Sequence, residues 1–266
     1  MRQVTLDGTG LAVSRFIFGT ASLFNVGSAK ERAALLDAAV DAGFTHFDTA
    51  PYYGFGMAER DMAAMLRAHP HVTFTTKVGI YSPGGEEQAA WAIFARKAAG
   101  RAIRAISKPT VDFSLARARH ALEGSLRRTG RGHIDLYTLH EPEAHLLDYE
   151  EWRRWLEDMV GAGAIGSWGV ALTADRLQGF FDRGQSDMPV IQMLDSIAGR
   201  EADMLADNGR AMQITYGYVS AALARDPAAD VPGVIAAAMQ RNRDGALIVS
   251  TGKIARLAQY ARLGEG

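Results

Sequence analysis

The chain has 266 residues, with 29 lysines and arginines against 30 aspartates and glutamates and a formal net charge of −1. This balance argues against nucleic acid or an anionic membrane as a partner and suits an enzyme acting on a small molecule. The sequence contains no cysteine, which excludes disulfides and thiolate chemistry. MRQVTLDGTG lacks an apolar signal core and no apolar run approaches the roughly 20 residues of a membrane span, so the chain reads as soluble and cytoplasmic. The sequence sets no oligomeric state.

In chain order, VTLDGTGLAVS carries an Asp7-Gly8 turn between β-rich pieces and predicts a hairpin. FIFGT is a short strand stopping at Gly19. Ser28 and Glu31 then form a capping box that opens a helix whose Leu36, Ala39 and Val40 share a face before Gly43 ends it. The alternation continues with FTHFDT, a helix over 57–68, VTFTTKVG, a helix over 114–128, IDLYTLH and a helix over 149–160. AIGSWGVAL follows, then a helix capped by Thr173, PVIQMLD, a short helix near 201–206, AMQITYGY, a helix over 234–239, ALIVST and a helix over 254–263.

Eight strands starting near residues 16, 45, 72, 134, 166, 190, 212 and 246 alternate with helices. This repeat, at this length, predicts an α/β fold: a single (β/α)8 TIM barrel over 1–266 with an N-terminal hairpin. A doubly wound open sheet is the rival, but Gly19-Thr20-Ala21-Ser22 is not the Gly-rich loop it would carry. Residues 82–110, after the third strand, form an insertion with a basic run from Arg96 to Lys108. A segment there belongs on the catalytic face, as a lid or pocket wall or as a solvated surface helix.

FDTAPYYGFG places Asp48 at a strand's carboxyl end and Tyr53 in an irregular loop. Lys77 and His140 end two further strands, so all four fall where a barrel carries its active site. A lysine ammonium beside a phenol is expected to lower its pKa from near 10, with Asp48 keeping the lysine charged. A neutral His140 would position a carbonyl oxygen beside that phenol. Such a constellation suits a carbonyl receiving a hydride at carbon and a proton at oxygen. No side chain can supply hydride, which implies a nicotinamide cofactor.

LAVSRFIFGTASL, FDTAPYYGFG, FTTKVG and IDLYTLHEP resemble the aldo-keto reductases, and the likeness covers almost the whole chain. The order of Asp48, Tyr53, Lys77 and His140 is similar to that family's catalytic tetrad. The resemblance implies a barrel that binds NADPH, with NADH as the alternative, and interconverts a small-molecule carbonyl (aldehyde, ketone or sugar) and its alcohol. It assigns Gln192 to the nicotinamide carboxamide and Tyr216 to stacking on the nicotinamide ring. It also assigns Thr20, Ala21 and Asp48 to the cofactor, and Ser250, Thr251, Gly252, Lys253 and Arg256 to the adenosine phosphate.

Ala171 and Leu172 stand where the family has a Ser-Asn pair on the carboxamide, and Ser250 stands where many members have a phosphate-binding lysine. Phe24, Tyr52, Tyr81 and Trp91, aromatic and in loops after the first three strands, are expected to line the substrate pocket. Two alternatives stay open. One is a non-catalytic, cofactor-sensing member of the superfamily; the other is a glycoside hydrolase using Asp48 and Glu141 as its paired carboxylates. No metal site is expected, because the histidines lack a converging spacing.

Overall fold

The computed structural model describes residues 1–88 and 108–265. Eight parallel strands close on one another as a barrel. In chain order they are β3 (Phe16–Gly19), β4 (His46–Asp48), β5 (Thr73–Val78), β8 (Ile134–His140), β9 (Ile165–Leu172), β10 (Val190–Leu194), β11 (Ile214–Tyr216) and β12 (Ala246–Val249). Their starts follow the sequence expectation closely. Both faces of such a barrel are covered, so its strands are short and almost wholly buried.

The expected hairpin is β1 (Gln3–Thr5) paired antiparallel with β2 (Ala12–Ser14). Its loop spans 6–11, closed by the Leu6 N–H donating to the Leu11 carbonyl at 2.9 Å. Val4, Leu6 and Val13 pack with Ile17, Leu136, Val190, Ile214 and Ala246, so the hairpin seals the amino end of the barrel with apolar surface. Full burial of a side chain such as Leu6 contributes about 2 kcal/mol.

Helices cover the outside. The first, α1 (Ala29–Asp41), opens with the complete capping box: the Glu31 carboxylate accepts from the Ser28 N–H at 2.7 Å and the Ser28 hydroxyl accepts from the Glu31 N–H at 3.3 Å. α2 (Met57–Ala68), α3 (Leu115–Thr129) and α4 (Tyr149–Gly161) bury the apolar faces that the spacing assigned to them. α5 (Ala174–Phe181) has Thr173 in the cap position, but its hydroxyl makes no backbone capping bond. The next helix, α6 (Asp203–Asp207), starts later than expected because the Glu201 carboxylate turns back to accept from the Ser196 N–H at 2.8 Å.

After β11 the sequence suggests one helix, and the structure has two: α7 (Tyr218–Arg225) and α8 (Val231–Arg241). The Ala-rich first of these starts abruptly at Gly217 (φ 103°), where a Cβ would meet the Leu194 side chain at 2.5 Å; without a Ser, Thr, Asn or Asp cap it leaves no start signal in the sequence. The last helix, α9 (Ile254–Leu263), matches its expectation.

The insertion leaves the barrel through β6 (Ile80–Tyr81), which pairs antiparallel with the returning β7 (Thr110–Val111). Its basic run and Trp91 fall outside the described residues but for Lys108, which is exposed. No helix among the described residues is long and apolar enough to cross a membrane.

Candidate active site

Strand register brings the polar residues to one rim. Gly19 lies beside Asp48, Asp48 beside Thr75, Lys77 beside Thr138, His140 beside Ala171, and Ala171 beside Gln192. Side chains alternate along a strand, so Thr75 and Lys77 share a face and the lysine stands one step beyond the aspartate, toward the carboxyl end. The loop after β4 then coils through three consecutive left-handed residues, Gly54 (φ 61°), Phe55 (60°) and Gly56 (76°). Glycine is required at Gly56, where a Cβ would meet the Glu86 carbonyl at 2.3 Å. This coil folds Tyr53 back over the barrel mouth.

The Lys77 ammonium donates to both Asp48 carboxylate oxygens at 2.7 Å, to the Thr49 carbonyl at 2.9 Å and to the Tyr53 hydroxyl oxygen at 3.2 Å. Lys77 and Asp48 are buried, 1 % and 3 % exposed. The His140 ring meets Tyr53 edge-on, centroids 5.9 Å apart. The structure thus brings Asp48, Tyr53, Lys77 and His140 into one cluster.

The electrostatics differ from the sequence expectation at one point. Burial pushes the Tyr53 phenol well above 10, and the negative charges of Asp48 and Glu141 push the same way. Lys77 does not reverse this, because its charge is already matched by Asp48. Tyr53 is therefore held firmly as the neutral phenol, a proton donor rather than a standing phenolate. Burial lowers Lys77 against the opposing pull of the Asp48 carboxylate. Burial, with the Lys77 charge behind it, also drives His140 well below 6.5, so the imidazole is neutral through the physiological range.

These groups open into a cleft of about 420 Å³. Of the residues assigned to the cofactor, Ala21, Asp48, Gln192, Tyr216 and Ser250 line it. Gln192 donates through Nε2 to Asp48 at 3.1 Å; since a carboxylate only accepts, the amide is oriented with Oε1 the other way, and that oxygen is buried without a partner among the described residues. An unmatched acceptor in the cleft that the Tyr216 ring also lines fits an amide-bearing aromatic ligand such as nicotinamide. Ala171 lines the cleft and Leu172 is core, so neither side chain grips an amide.

Other assigned residues fall elsewhere. Thr20 is fully buried and its hydroxyl donates to the Asp48 carbonyl at 2.9 Å, fixing the strand end rather than facing the cleft. Thr251 is buried, while Gly252, Lys253 and Arg256 lie exposed at the start of α9, outside the cleft lining. Phe24 and Tyr52 are half-buried on flanking loops and do not line it either. Tyr81 belongs to the core, 2 % exposed, with the Arg117 guanidinium 4.2 Å over its ring. It leaves the barrel beside β7, which turns its ring inward instead of toward the mouth.

Sequence reading missed Tyr218, Val219 and Ser220, which line the cleft from the first turn of α7, and it weighed Glu141 only as a hydrolase acid. With no capping side chain at the start of α7, the sequence held no signal for the former. As for the hydrolase reading, Asp48 has both oxygens occupied by Lys77 and one also by Gln192, so it is free neither as nucleophile nor as acid. No group of three or more metal-ligating side chains occurs among the described residues.

Fold and rim together define a (β/α)8 barrel whose carboxyl end holds a buried ion pair, a phenol and a neutral imidazole in one cleft. The chain belongs to the aldo/keto reductase family, whose model matches residues 15–205. It is 34% identical over 151 residues to a D-threo-aldose 1-dehydrogenase from a Pseudomonas species, covering 52% of this chain and 43% of that enzyme. It is 32% identical over 184 residues to a 6-dehydroglucose reductase from Novosphingobium aromaticivorans, covering 65% and 52%. The chain thus spans about half the length of the curated relatives it matches. Among solved structures, an aldo-keto reductase from Klebsiella pneumoniae in complex with NADPH superposes with a TM-score of 0.68 at 21% identity, over 100% of this chain and 91% of that one.

Proposed function

We propose that this chain is an NADP(H)-dependent oxidoreductase that moves a hydride between nicotinamide and the carbon of an aldehyde, ketone or sugar, with Tyr53 handling the proton at oxygen. The observation that carries the reading is the Lys77 ammonium held between Asp48 and the Tyr53 hydroxyl, beside a neutral His140, at the floor of a cleft.

Gln192 Oε1 would accept from the carboxamide and the Tyr216 ring would pack on the nicotinamide. The N–H groups at the start of α7 would face the diphosphate, while Lys253 and Arg256, exposed and in no ion pair among the described residues, would meet a 2′-phosphate. When bound, the reduced nicotinamide supplies the hydride.

The chain's own groups do the rest. Neutral His140 donates an N–H to the carbonyl oxygen and holds it near Tyr53. Tyr53 gives its proton to that oxygen as negative charge builds there, and Lys77 stabilises the phenolate left behind. Asp48 keeps Lys77 charged and in position. In the alcohol-oxidising direction the same proton returns to Tyr53.

The test is NADPH binding, followed by quenching of tryptophan fluorescence, and NADPH oxidation over a panel of aldehydes. Tyr53→Phe should lower kcat by about 10² to 10⁴-fold while leaving the NADPH dissociation constant nearly unchanged. The Ala171-Leu172 pair favours a second reading, a cofactor-sensing member of the superfamily. Binding without turnover across the whole panel would select it.

A further inference from the structure

The charged side chains lining the cleft, among the described residues, are Asp48, Lys77 and Glu141. The first two cancel in direct contact, which leaves Glu141 facing the cleft uncompensated from within. Arg176 approaches the Glu141 carboxylate at 3.3 Å from outside the lining, but the same guanidinium donates to Glu143 at 2.9 Å. One cation thus serves two carboxylates, and among the described residues this pair of carboxylates keeps a net negative charge.

Glu141 is also held in place by its backbone. Its φ is 50°, an uncommon conformation for a residue with a Cβ, and it persists because two bonds fix it. The Glu141 N–H donates to the Ala171 carbonyl at 2.8 Å, and Arg176 donates to the Glu141 carbonyl at 2.8 Å. The turn directs the side chain to the Tyr216 hydroxyl, which donates to Oε1 at 3.3 Å. A carboxylate next to His140, half-buried and fixed by these bonds, is a feature that neither the barrel nor the ion pair requires.

We infer that Glu141 is the specificity determinant of this cleft: it favours neutral, hydroxyl-bearing carbonyl substrates, whose hydroxyls it accepts, and disfavours substrates carrying a carboxylate or phosphate. The inference rests on the oxidoreductase reading above, since it names the substrate class of that same site. Burial raises the Glu141 carboxyl pKa, while Arg176 and the Tyr216 hydroxyl pull the other way and favour the charged form.

The experiment measures kcat/KM with NADPH for glyceraldehyde, a neutral hydroxyaldehyde, and for glyoxylate, an anionic aldehyde of similar size. Wild type should prefer glyceraldehyde, and the preference should shrink as salt is raised. Glu141→Gln keeps an acceptor for Tyr216 but removes the charge; it should shift the ratio toward glyoxylate on the order of tenfold, chiefly through the KM of the anion. Glu143→Gln, which keeps both Arg176 contacts to Glu141 and frees that guanidinium from its second carboxylate, should shift the ratio the same way by a smaller factor. A ratio unchanged in both variants, with turnover retained, overturns the inference and leaves the oxidoreductase reading intact. Wild-type turnover of neither aldehyde, nor of any other carbonyl in the panel, overturns both.

Discussion

Arg15 and Gln213 at the amino end of the barrel and Gln192 and His140 at the carboxyl end meet burial in opposite ways. At the amino end, the Arg15 guanidinium, 2 % exposed, donates to the carbonyls of Met239, Asn242 and Gly245, while the Gln213 amide donates to the carbonyls of Asp7 and Pro189 and accepts from the Ile191 N–H. Around them pack Val4, Leu6, Val13 and Ile17. At the carboxyl end, Gln192 Oε1 and His140 Nδ1 are buried without partners among the described residues, and the left-handed backbone of Phe55 and Glu141 lies next to the cleft. Buried polar atoms normally find partners. The first pair is satisfied within the protein; the second lines the cleft with hydrogen-bonding capacity unused among the described residues.

Three variants sharpen this contrast. The largest effect is expected from Lys77→Met, which leaves the Asp48 carboxylate buried and unpaired. It should cost about 3 to 5 kcal/mol of unfolding free energy and abolish turnover, read by urea denaturation and NADPH oxidation. Full activity in that variant would mean that the carboxyl end does not work as described.

Leu6→Ala, at the other end, should remove about 3 kcal/mol from the unfolding free energy and leave kcat per folded molecule unchanged. A fall in kcat would break the separation of the two ends.

The smallest effect is a pH dependence set by His46, which is fully buried between the hydroxyls of Thr73 (2.7 Å) and Thr75 (2.8 Å) with its pKa lowered to about 3. The unfolded chain, near 6.5, takes up a proton that the folded chain refuses. The stability His46 contributes is thus complete above pH 6.5 and lost as the pH falls toward 3, at about 1.4 kcal/mol per unit. His140, lowered by the same burial, adds to the slope in the same direction. Urea titrations between pH 7 and 5 should give a shallower slope in His46→Gln than in wild type.

Periodicity, turn residues and chain length determined the eight strands, the sealing hairpin and all but one of the major described helices. In a parallel barrel each strand is a short apolar run and each covering helix an amphipathic one, so those patterns survive in the linear chain. Position at a strand's end was equally legible for Asp48, Lys77 and His140, because the fold puts every strand's carboxyl end on one rim.

Other features appeared only in three dimensions. Neighbouring charges and dehydration, not residue type, raise the Tyr53 phenol where the sequence suggested the reverse. A change of strand pairing turns Tyr81 into the core, a carbonyl claims the Thr20 hydroxyl, and a left-handed turn aims Glu141 at the cleft. Burial and proximity are properties of pairs distant along the chain, and closure of the barrel is what creates those pairs.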